Sequence, residues 1–112
     1  MLELALAAAF KAWLVAPTHR PRVNAPWPVA VHVTTLSGHP LAARVTMRLL
    51  FSGIPVGKVD GGRVYRFTGV WREKRGQEIT FPTASRGQRL TFQALVTAHG
   101  RTTRLSYWVQ PR

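Results

Sequence analysis

The sequence has no cysteine, which excludes disulfides, thiolate metal sites and a cysteine nucleophile outright. Acidic residues are almost as scarce. Only Glu3, Asp60, Glu73 and Glu78 stand against 16 Lys plus Arg, for a net charge of +12. With so few carboxylates, acid–base chemistry has little to draw on. Asp60 is the sole aspartate and sits in the Gly-rich stretch Asp60-Gly61-Gly62, so no Ser-His-Asp arrangement is indicated. Glu73 and Glu78 are the one pair that could serve glycoside chemistry. Five residues apart among basic neighbours, they read instead as solvated ion-pair partners. Phosphate-loop and dinucleotide-binding glycine motifs are also missing. No catalytic residue and no cofactor is therefore assigned, and the chain is read as a non-enzyme.

What is present points to strands. Residues 90–98 place Leu90, Phe92, Ala94, Val96 and Ala98 on one parity, with Thr91, Gln93, Leu95 and Thr97 on the other. That period of two belongs to a half-buried strand. Residues 104–110 repeat it with Leu105, Tyr107 and Val109, and His99-Gly100 followed by Arg101, Thr102 and Thr103 supply the turn between the arms. Further strands are expected at 29–34, 44–51 and 64–71, with short ones near 54–59 and 78–81. Gly69 marks a bulge or close approach in the third of these. About seven strands separated by turn residues predict an all-β antiparallel sandwich or barrel.

The N-terminal stretch, residues 2–16, is apolar except for Glu3 and Lys11 and rich in helix formers. As a helix it would span roughly 22 Å at 1.5 Å per residue, short of the ~30 Å hydrocarbon core. It reads as an export signal, the tail of an anchor whose start lies upstream of Met1, or a short docked helix. Four prolines within APTHRPRVNAPWP then break any helix and indicate a linker. The organisation expected is thus a hydrophobic segment (1–16), a Pro-rich linker (17–26) and a sandwich (27–112).

The run from Pro17 to Arg112 resembles bacterial immunoglobulin-like domains of fibronectin III or related type. It is similar in particular to small exported proteins of actinobacteria. The likeness is carried by the Pro-rich entry APTHRPRVNAPWPV, the turn SGHPLAARV, the aromatic strand FTGVW and the closing LTFQALV hairpin. It implies an immunoglobulin-like sandwich and a secreted or cell-envelope location. The chain departs from antibody-type domains in lacking a Cys pair and a Trp on the strand expected at 44–51.

If residues 44–51 and the two hairpin arms share one sheet, parity assigns an outward face of Arg44, Arg48, Leu50, Gln93, Leu95, Arg104 and Trp108. Arginines beside a Trp and two leucines are the composition of a binding platform. The partners expected are another protein, an anionic envelope polymer or a second copy of the chain, with membrane contact confined to residues 1–16. Nucleic acid is the alternative, through phosphate contacts and stacking on Trp108, but no reader motif supports it. The histidines, His19, His32, His39 and His99, show no metal-ligand spacing.

Overall fold

Alternating side chains build every layer of the molecule. The computed structural model describes residues 10–112. It contains eight strands: β1 (Phe10–Val15), β2 (Ala30–Thr35), β3 (Ala42–Phe51), β4 (Ile54–Lys58), β5 (Tyr65–Thr68), β6 (Val70–Arg72), β7 (Leu90–Ala98) and β8 (Arg101–Val109). Short 3-10 turns occur at Val59–Gly62 and Thr83–Ser85. One sheet has the order β1-β2-β6, and the other runs β4-β3-β7-β8 with β5 also paired to β3. Every pairing is antiparallel. The result is an all-β, two-layer sandwich.

The inner parity fills the space between the sheets. Val31 and Val33 of β2 meet Val45 and Met47 of β3, and Phe92, Ala94 and Val96 of β7, all at or near zero exposure. Trp27 stands at the centre. Its ring lies edge-on to Phe81 at 5.3 Å and to Phe92 at 5.2 Å, and is tilted against Tyr107 at 5.9 Å. A buried indole needs a partner for its N–H, and Nε1 donates to the Thr18 carbonyl at 2.9 Å.

Two-residue turns fix the hairpin registers. Ser52 and Gly53 (φ 51° and 80°) join β3 to β4, and His99 and Gly100 (φ 50° and 70°) join β7 to β8. Left-handed φ at both central residues is the hairpin geometry that matches strand twist. Arg101, Thr102 and Thr103, expected in the turn, therefore belong to β8, where they pair with Ala98, Thr97 and Val96. At the free edge, β4 carries Pro55 and Lys58, both of which discourage strand addition.

The expected N-terminal helix does not extend into the described residues. Phe10–Val15 form β1, paired along its whole length with β2. Phe10, Ala12 and Leu14 pack on the core, while Lys11, Trp13 and Val15 face solvent. The helix propensity of Ala and Leu loses to this alternation and to the edge of β2, which would otherwise go unpaired. Residues 1–9, the rest of the expected hydrophobic segment, lie outside the described residues.

The stretch read as a linker, residues 17–26, is packed rather than free. The carbonyls of His19 and Pro21 accept from the N–H groups of Gln110 (2.7 Å) and Arg112 (2.9 Å), and Val23 N–H donates to Arg112 at 3.0 Å. Proline lacks a donor but keeps its carbonyl, so this edge tolerates it. The expected strand at 78–81 is reduced to a bridge between Trp27 and Ile79, extended by Asn24 N–H to the Phe81 carbonyl at 2.8 Å.

The strand expected at 64–71 is one run of chain shared by both sheets. It pairs with β3 as β5, breaks at Gly69, and pairs with β2 as β6. Gly69 adopts φ +80°, donates to the Leu41 carbonyl at 3.0 Å and accepts from Val33 N–H at 2.8 Å, tying three segments at one corner. A Cβ there would sit 3.0 Å from Pro40 Cβ in a conformation that L-residues avoid. Gly69→Ala should therefore lower stability by roughly 1–3 kcal/mol in thermal or denaturant unfolding. An unchanged midpoint would show that the corner yields.

Candidate binding face

The outward parity of the five-stranded sheet forms a grid whose rows are set by strand register. Arg66, Arg44, Thr97 and Thr102 make one row, and Thr46, Leu95 and Arg104 the next. Lys58, Arg48, Gln93 and Ser106 follow, then Leu50, Thr91 and Trp108. The structure thus brings all seven sequence-assigned residues, Arg44, Arg48, Leu50, Gln93, Leu95, Arg104 and Trp108, to one face. Lys58 and Arg66 were missed. They join the face only because β4 and β5 both pair with β3, and parity within a single strand does not reveal its partner.

Two of the seven do not offer contact surface. Leu50 is 7% exposed and Gln93 8%. Both lie on strands flanked on each side, where neighbouring side chains cover anything shorter than they are. Gln93 is occupied internally: Arg48 Nε donates to its Oε1 at 2.8 Å, and its Nε2 donates to Ser106 Oγ at 3.1 Å. This chain of bonds spans three strands and holds the half-buried Arg48 side chain in place through one of its five N–H donors. Arg44 and Arg104 are exposed, and Leu95 is half-buried.

Trp108 is exposed at its edge but not on its faces. Arg89 Cζ lies 4.0 Å over the ring, and the His19 imidazole stacks at 3.9 Å and 10°. Two groups so near the ring centre must occupy opposite sides. His19 also stacks on Tyr107 at 4.0 Å, and its Nδ1 lies 2.6 Å from the Trp108 carbonyl, so Nδ1 carries the hydrogen. The expectation that Trp108 offers a stacking surface is corrected accordingly, since both π-faces are filled from within the chain. Arg89 precedes β7 by one residue, and periodicity carries no trace of either contact.

The described acids lie elsewhere. Tyr65 Oη–H donates to Asp60 Oδ2 at 2.8 Å. Burial first, then the bond to Asp60, pushes the Tyr65 hydroxyl up to about 12. Glu73 is pushed up to about 7, chiefly by burial, then by the neighbouring Asp60 and the charge of Glu78, with Arg63 opposing. Its Oε2 is buried and has no hydrogen-bond partner among the described residues. A buried carboxyl oxygen left without a donor favours the protonated form, in line with the raised value. Glu78 accepts from Gly76 N–H with both oxygens, at 2.7 and 2.9 Å, and so closes the charged loop. The reading of Glu73 and Glu78 as solvated ion-pair partners gives way to these roles.

The histidines fall in different elements. His32 stacks on Trp13 at 4.9 Å, and His39 lies 3.0 Å from Ser37 Oγ within its turn. Among the described residues no three His, Asp or Glu side chains are grouped to hold a metal ion. Comparison with protein-family models, curated proteins and solved structures gave no match.

Glu73 makes stability pH-dependent with a definite sign. Its folded value of about 7 lies above the ordinary 4.5, so the native state holds the proton more tightly than the unfolded chain. The contribution is complete below the ordinary value and is lost as pH rises through about 7. Melting temperature measured from about pH 5 to about pH 8 should fall, and Glu73→Gln should flatten that fall. A slope unchanged by the substitution would remove Glu73 as its source.

Proposed function

We propose that this chain is a non-catalytic, immunoglobulin-like interaction module that binds an anionic partner through the outer face of its five-stranded sheet. The strand order supports the fold part of the reading. A three-strand layer β1-β2-β6 faces a layer in which β3-β7-β8 would correspond to C-F-G, with β4 and β5 added at the β3 edge and no separate fourth strand beside β6. Of the neighbouring titratable groups, Tyr65 and Asp60 are hydrogen-bonded to each other, and Glu73 is partly buried beside them. A cut after Ala16, as an export signal would require, would remove β1 from the sandwich, so the reading takes β1 as part of the working domain.

One observation carries the functional part. Arg44, Arg48, Lys58, Arg66 and Arg104 share a single face. Among the described residues, the acids Asp60, Glu73 and Glu78 all lie off the strands of that sheet. A one-sign surface on a flat scaffold attracts and orients oppositely charged partners.

The test is binding to beads bearing an anionic polymer, followed from about 50 to 200 mM salt. Arg44→Glu with Arg104→Glu should abolish retention at the upper end of that range. Arg20→Glu with Arg75→Glu, which removes as much charge elsewhere, should weaken it only slightly. Equal losses from both pairs would mean that net charge, not this face, does the binding.

A further inference from the structure

The register sets cations against cations. Arg44 lies directly opposite Arg66, and four residues along β3 Arg48 lies directly opposite Lys58. Opposed residues on antiparallel strands hold their Cβ atoms ~4.5–5.5 Å apart, where like charges destabilise the pairing. Both pairs lie on the same edge of β3 and point outward, and among the described residues no acid stands on the strands of this sheet; Asp60 lies in the turn between β4 and β5. Four residues at ~3.3 Å each separate the pairs by ~13 Å. An open groove of ≈ 550 Å³ borders the first pair and is lined also by Thr68, Thr97 and His99. At the second pair, buried Gln93 orients Arg48.

The chemistry of the occupant follows. A guanidinium fork matches phosphate oxygens two at a time, and a phosphate carries more acceptor oxygens and, in a chain, a regularly repeated charge to share between two cations than a single carboxylate does. Base stacking finds no platform, because Arg89 and His19 fill both faces of Trp108. Resting on the proposed reading of this face as the binding surface, we propose that the pairs Arg44–Arg66 and Arg48–Lys58 are two phosphate subsites that grip a linear, base-free phosphate chain. The bound phosphates neutralise a repulsion that the free protein carries.

The experiment uses the full chain with Arg44→Gln, Lys58→Gln, Arg104→Glu and the off-face control Arg75→Gln. Melting temperature without ligand and affinity for linear inorganic polyphosphate are measured. A single-stranded oligonucleotide of equal phosphate number serves as comparison. Arg44→Gln and Lys58→Gln should each raise the melting temperature of the free protein, because a repulsion is relieved. Each should also weaken polyphosphate binding about tenfold, the worth of a hydrogen-bonded charge contact. The salt slope should fall by about one per cation removed. Arg75→Gln should do none of this, and the oligonucleotide should bind no more tightly than polyphosphate.

Stabilised pair variants that bind polyphosphate as before would overturn the proposal, as would variants that lose stability without ligand. Tighter oligonucleotide binding would replace the phosphate chain by nucleic acid. If Arg104→Glu alone weakens binding, the face stands as the binding surface but the pairs do not. If no face variant matters, the reading of the face itself fails.

Discussion

Trp27 holds the two layers together, and the position of every outward side chain depends on what it holds. The indole comes from the Pro-rich entry, meets Phe81, Phe92 and Tyr107, and is tied by Nε1 to Thr18. Removing an aromatic so enclosed costs about 3–5 kcal/mol, a large share of the stability of a small domain. Phe92 and Tyr107 are opposed in register on β7 and β8, so seating both against Trp27 fixes which parity of those strands is inward. The outward parity follows by exclusion. A slip of one residue would turn Val45, Met47 and Val96 to water and bring charge into the core. The cationic grid is thus a consequence of core packing.

Charge is distributed with the same economy. A net charge of +12 on a chain of this size repels itself, and pairing each cation with an acid would be one remedy. Here the described acids Asp60, Glu73 and Glu78 lie off the strands of the five-stranded sheet, and burial raises the Glu73 carboxyl so that it holds its proton more readily. The face is left with one sign, and two cross-strand pairs on it are like-charged. Such an arrangement weakens the free protein slightly and favours any state in which an anion is bound.

Much of this was legible in the residues. The cores of β2, β3, β7 and β8 follow from period-two spacing, because strands with one wet face must alternate. Parity also gave the outward residues of β3, β7 and β8, but only on the assumption, taken from the resemblance, that these three strands share a sheet. Three things were not legible, each for a physical reason. Ala and Leu around β1 have high helix propensity, and the alternation of Phe10, Ala12 and Leu14 against Lys11, Trp13 and Val15 is short enough to be masked by it. Pairing between distant strands is a tertiary choice, so Arg66 and Lys58 could not be placed beside Arg44 and Arg48. Burial of Leu50 and Gln93, and the filling of both faces of Trp108, depend on neighbours brought together by the fold rather than by sequence spacing.

The register of β3 against β7 decides whether the cationic face exists, and cross-strand nuclear Overhauser contacts in solution measure it directly. Backbone contacts should link Thr46 with Leu95, Met47 with Ala94 and Arg48 with Gln93. Contacts displaced by one residue, such as Thr46 with Ala94, would turn the aliphatic set outward and contradict the account.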